Sequence, residues 1–122
     1  IKTGDLSNLN ELLADDVVFR SPVAFKPYEG KHVVFFILTN VIQVFENFTY
    51  HRELYTEDGE NVVLEFSANV SGKSLKGIDM VRFNAQGKII DFEVMIRPMS
   101  GLAALAEKMG ARFAQYQPNA SQ

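Results

Sequence analysis

Residues 75–83 read LKGIDMVRF, and their alternation decides the fold. Strand side chains point to opposite faces with a period of two. Leu75, Gly77, Asp79, Val81 and Phe83 therefore share one face, and Lys76, Ile78, Met80 and Arg82 share the other. Upstream, in NVVLEFSANV at 61–70, Val62, Leu64, Phe66, Ala68 and Val70 form an apolar row opposite Val63, Glu65, Ser67 and Asn69. Downstream, Ile90, Phe92, Val94 and Ile96 alternate with Ile89, Asp91, Glu93, Met95 and Arg97. The three apolar rows read as one buried face. Asp79 is the single ionisable residue on it.

The joints between these segments are short. Asp58-Gly59-Glu60, Gly72-Lys73 and Ala85-Gln86-Gly87 have hairpin chemistry, which predicts antiparallel neighbours over Thr49 to Glu57, Asn61 to Ser71, Ser74 to Asn84 and Lys88 to Arg97. Before them, Asp5 or Ser7 can cap a short helix through Leu6, Leu9, Leu12 and Leu13, ended by Asp15 and Asp16. Val17 to Ser21 reads as a strand and Pro22 to Gly30 as a loop. Lys31 to Phe45 is apolar nearly all round, as expected of a helix covered on more than one side, although its β-branched content also suits a strand. After Pro98, Ser100 can cap a helix with Leu102, Leu105, Ala106, Met109 and Phe113 in one stripe. The expectation is a single α+β domain over 1–116, a cone-shaped curved antiparallel sheet with helices on its concave face, followed by a flexible tail at 117–122.

Composition narrows the function. The chain has 122 residues, 47% hydrophobic and 22% charged, with 10 Phe, which suits a globular domain with an aromatic-lined core or pocket. A net charge of -3 and the lack of a Lys/Arg run argue against nucleic acid. The longest apolar stretch is interrupted by Thr39, Asn40 and Gln43 and is too short for a bilayer. The chain has no Cys, hence no disulfide or thiolate site, which suits a reducing, cytoplasmic setting. Three Asn-X-Ser/Thr triplets, at Asn47, Asn69 and Asn119, are short enough to arise by chance.

Three stretches carry a resemblance. Gly4-Asp5-Leu6, Leu12 to Phe19 and Ser21-Pro22 with Gly30 resemble the start of the nuclear transport factor 2-like superfamily, which includes ketosteroid isomerases and SnoaL-like polyketide cyclases. Gly77 to Asn84, followed by Gly87 to Ile90, resembles the isomerases' penultimate strand, hairpin and final strand. The resemblance implies a cystatin-like fold lacking the family's first helix at the N-terminus. In ketosteroid isomerases an Asp moves the proton while a Tyr and a protonated Asp hold the enolate oxygen. Asp79 matches the protonated Asp, so alternation and resemblance select the same residue. The base position, just before Pro22, is Ser21, which disfavours the isomerases' standard mechanism.

The resulting expectation is a pocket for a small apolar molecule, lined by Phe19, Ser21, Phe66, Val81, Phe83, Phe92, Val94 and Ile96, with Asp79 as hydrogen-bond donor or general acid beside a ligand carbonyl. No cofactor or metal is expected, since His32 and His51 lie far apart without a carboxylate pattern. The other sheet face mixes Glu65, Arg82, Asp91, Glu93 and Arg97 with Ile78, Met80, Ile89 and Met95, and related folds dimerise through this surface, which points to a homodimer. The competing reading is a non-catalytic binding or dimeric structural protein in which Asp79 satisfies local hydrogen bonds.

Overall fold

The computed structural model describes residues 8–115. The helix cap at Asp5 or Ser7, Leu6 and the tail at 117–122 lie outside the described residues. The elements are α1 (Leu9–Leu12), β1 (Leu13–Arg20), β2 (Tyr28–Glu29), α2 (Lys31–Val44), β3 (Glu46–Tyr55), β4 (Asn61–Val70), β5 (Lys73–Phe83), β6 (Ile89–Arg97) and α3 (Met99–Gln115). They form an α+β fold around a curved six-stranded sheet of order β2-β1-β6-β5-β4-β3. The hairpin chemistry gives the expected antiparallel meander from β3 to β6, whereas β1 pairs with β6 in parallel.

The β4–β5 ladder runs unbroken from Asn61↔Arg82 to Val70↔Lys73, so its alternation carries into burial: Phe66, Ala68, Val70, Leu75, Asp79 and Val81 are buried on the inward row, Val62 and Leu64 partly so, and on the outer row of this pair Glu65 alone is buried. Elsewhere bulges reverse the parity. Between β5 and β6 the register passes from Arg82↔Asp91 to Phe83↔Ile89, which makes Ile90 an extra residue. Ile89, expected on the outer face, is therefore turned into the core and fully buried. β1 carries a larger irregularity, between Leu13↔Ile89 and Val18↔Asp91. It lets the adjacent Asp15 and Asp16 both stay exposed while Leu13, Ala14 and Val17 are buried. The two acids thus lie inside a strand, and α1 ends at Leu12.

α2 and α3 pack on the concave face. Val34, Ile37, Leu38 and Val44 of α2 are buried, but Val33 and Phe36 remain 44% and 39% exposed, so the helix is covered less widely than its composition predicts. α3 starts at Met99, with the Leu102 N–H donating to the Pro98 carbonyl, and Ser100 falls in its first turn rather than at the cap. Gly101 allows the close approach of α3 to β5: a Cβ there would lie 2.8 Å from both the Ser74 carbonyl oxygen and Leu75 Cβ. Arg112 ties α3 to α2 by donating to Asn40 Oδ1 at 2.9 Å and to Gln43. Asn40, 5% exposed, donates in turn to the Phe36 carbonyl at 2.8 Å.

Two apolar clusters result. One joins α1, β1, α2 and β6 around Leu13, Val17, Val34 and Ile89; the other joins β4, β5 and α3 around Phe66, Val70, Leu75 and Leu105. Val41, Val94 and Phe113 pack against both.

Candidate active site

A cavity of about 110 Å³ lies between the two clusters, walled by residues of both. Asp79 opens onto it from the middle of β5, flanked across the ladder by Leu64 of β4 and Val94 of β6. Its neighbour on the same face is Gly77, where a Cβ would lie 2.4 Å from the Met95 carbonyl oxygen and 2.8 Å from Phe66 Cζ. Glycine therefore lets the Phe66 ring lie across β5 beside the acid. Phe66 stacks on Phe48 at 5.1 Å and tilts against Phe45 at 5.7 Å, while Phe19 and Phe92 meet at 5.9 Å on the other wall.

Asp79 is 7% exposed, and among the described residues no hydrogen bond or ion pair reaches its carboxyl group. Burial disfavours its charged form and pushes its pKa up to about 7. The group thus exchanges protons near neutrality, the range in which a general acid or base works best.

Tyr50, which the sequence pattern did not single out, also lines this wall. Its ring lies edge-on to Phe48 at 4.8 Å and pairs across the sheet with Phe66. Burial, and then the negative charges of Asp79 and Glu53, raise its pKa above the ordinary phenol value, so it remains a hydroxyl donor at neutral pH. The signal that could have found it is the Phe48, Tyr50 pair opposite Phe66. It was hidden because β3 bulges on both sides, between Glu46 and Thr49 and again between Tyr50 and Glu53, so no single parity holds along the strand.

Phe19, Ser21, Phe66, Phe92, Val94 and Ile96 all lie on the cavity wall with Asp79. Ser21 follows β1, and its Oγ accepts the Val23 N–H at 3.1 Å, which orients the hydroxyl in the turn. Val81 and Phe83 do not reach the cavity. Leu13, Val17 and Ile89 fill the layer above that end of β5, so Val81 belongs to the solid core and Phe83 packs at its edge. His51 Nε2 is 2.8 Å from Ser67 Oγ on an exposed part of the sheet, and His32 is exposed at the start of α2. Among the described residues no group of three or more His, Asp or Glu is placed to hold a metal ion.

A curved sheet covered by helices on one face is a cystatin-like architecture, and the chain belongs to the SnoaL-like domain family, which matches residues 1–92. Among solved structures it is similar to a steroid delta-isomerase from Pseudomonas aeruginosa, with 62% identity, 92% of this chain and 82% of that chain covered, and a TM-score of 0.89. It is also similar to an uncharacterized protein conserved in bacteria, with a cystatin-like fold, from Silicibacter pomeroyi: 38% identity, coverage of 90% and 77%, and a TM-score of 0.85. The epoxide hydrolase/cyclase-like enzyme SalBIII shares the fold at 17% identity, with coverage of 80% and 81% and a TM-score of 0.59. No curated protein matches the chain. Among the described residues no helix is long and apolar enough to cross a membrane.

Proposed function

We propose that the protein binds a compact, mostly apolar carbonyl compound, with protonated Asp79 and the Tyr50 hydroxyl donating hydrogen bonds to the carbonyl oxygen. Proton transfer at the adjacent carbon, as in isomerases and cyclases, is the chemistry this arrangement favours. The observation that carries the reading is a lone acid, 7% exposed and with a pKa of about 7, opening onto an apolar cavity. The similarity to a steroid delta-isomerase supports it. Ser21 departs from the isomerases' base, and among the described residues no other carboxylate lines the cavity, so Asp79 serves as donor and acceptor together: its proton passes to the carbonyl oxygen while its second oxygen takes the α-hydrogen, which gives the enol.

Exchange of the α-hydrogens of cyclohexanone with deuterated water, followed by NMR, tests this. The native protein should accelerate exchange, whereas Asp79→Asn, which keeps a donor but has no exchangeable acid, should fall to the background rate. Binding without exchange would favour the second reading, a non-catalytic binding protein, which the serine at the base position already supports.

We also infer that two copies pair through the outer sheet face and that the protein works in the cytoplasm. Met80 and Met95 are 40% and 46% exposed there, next to the Arg52–Glu65–Lys76 ion-pair cluster. The lack of cysteine suits a reducing compartment.

A further inference from the structure

A neutral carbonyl ligand uses Asp79 in only one of its two states. The ionised state presents a different surface: a carboxylate that, among the described residues, faces no Lys, Arg or His across the cavity, set among the rings of Phe19, Phe45, Phe48, Phe66, Phe92 and Tyr50. An unpaired buried carboxylate is costly, and the missing element is a cation with N–H donors. Aromatic faces carry negative potential and attract such a cation further.

We infer that the cavity also takes a compact organic monoamine in its ammonium form, the N–H groups donating to the Asp79 carboxylate and to the Tyr50 oxygen, the carbon body lying among the rings. This rests on the cavity's being a ligand site, as proposed above, and adds a second ligand class to it. The wall specifies the class. Among the described residues no second acid lines the cavity, so a diamine would bury an uncompensated charge, and no basic residue lines it, so an amino acid would leave its carboxylate unpaired. The volume of about 110 Å³ suits one six-membered ring rather than a fused polycycle.

The groups around Asp79 make the pH response simple. β4 and β6 present Leu64 and Val94, α2 and α3 contribute Val41 and Leu105 to the wall, and among the described residues the titratable groups that share the cavity with Asp79 are two tyrosines, Tyr50 of β3, whose pKa burial raises, and Tyr28 of β2. Ammonium binding requires the ionised acid and carbonyl binding the protonated one, so the two affinities slope in opposite directions with pH.

Calorimetric titration of the full chain with cyclohexylamine, its diamine analogue and cyclohexanone, at about pH 6 and about pH 8, tests the inference. Cyclohexylamine should bind about tenfold more tightly at the higher pH and cyclohexanone about tenfold more tightly at the lower, with the diamine at least about tenfold weaker than the monoamine. Asp79→Asn should lose the amine at both pH values and keep the ketone with no pH slope. Ketone binding without amine binding, or an amine affinity that is flat or falls with pH, overturns the ammonium site and leaves the carbonyl reading standing. Amine binding without ketone binding overturns the carbonyl reading alone, and binding of neither overturns both. If Asp79→Asn does not fold, the opposite slopes of the two ligands on the native chain decide between these outcomes.

Discussion

An acid in the middle of β5 makes stability depend on pH in an unusual direction. Burial raises the Asp79 pKa from the ordinary value of 3.8 to about 7, so between those values the folded chain holds a proton that the unfolded chain has released. Stability is therefore lost as pH rises through this window, by up to about 4 kcal/mol, and the loss levels off above it. Asp79→Asn removes the titration, so its melting temperature relative to the native chain should climb from about pH 4 to pH 7 and then plateau. Glu65 has the opposite sign. Hydrogen bonds from Arg52 outweigh the burial that would raise its pKa and, with Lys76 adding to them, hold it at about 2. Its contribution is present above the ordinary carboxylate pKa and lost as pH falls through about 2. Glu65→Gln should flatten the acid limb of the stability curve while leaving the limb near neutrality unchanged, and acid-titration melts separate the two.

Among the elements, α3 depends on the smallest side chain it contains. The Gly101 position leaves no room for a Cβ between α3 and β5, so Gly101→Ala must push the helix away from Ser74 and Leu75. Overpacking costs roughly 1–3 kcal/mol and the better helix propensity of alanine returns up to about 1 kcal/mol, so net destabilisation on the order of 1 kcal/mol is expected in urea melts. A loosened α3 should also weaken cyclohexanone binding, since Leu105 and Met109 line the cavity. The same elements show what could be read in advance. The β4–β5 ladder has no bulge, so alternation placed Asp79, Phe66 and the apolar row correctly. β3 has two bulges and β6 has one, and each extra residue puts the residues before it and after it out of step with a single period-two pattern, which concealed Tyr50 and misplaced Ile89. Val81 and Phe83 share the face of Asp79, but whether a residue on that face meets a void or a neighbour depends on how β1 and α1 cover the sheet. A period-two pattern carries no information about that cover.

Across the whole molecule, the helices occupy one side of the sheet and leave the other to polar ladders and methionines. The Arg20–Asp91 and Arg52–Glu65 pairs flank Met80 and Met95 with charges of both signs, a pattern that can complement a second copy of itself. Met80→Lys with Met95→Lys should convert a dimer to a monomer in sedimentation velocity while preserving the circular dichroism spectrum. A native chain that sediments as a monomer at high concentration would rule out the pairing.

The parallel contact between the first and last long strands also bears on the order in which the molecule assembles. β3 to β6 are linked by hairpins, so each pairing closes a short loop, whereas the Arg20–Asp91 contact joins residues 71 positions apart. Non-local closure is entropically slow, so the meander is expected to zip first and β1 to dock last. Phe19 and Ser21 arrive with that final docking, so the cavity they help to line is expected to be the last part of the protein to close during folding.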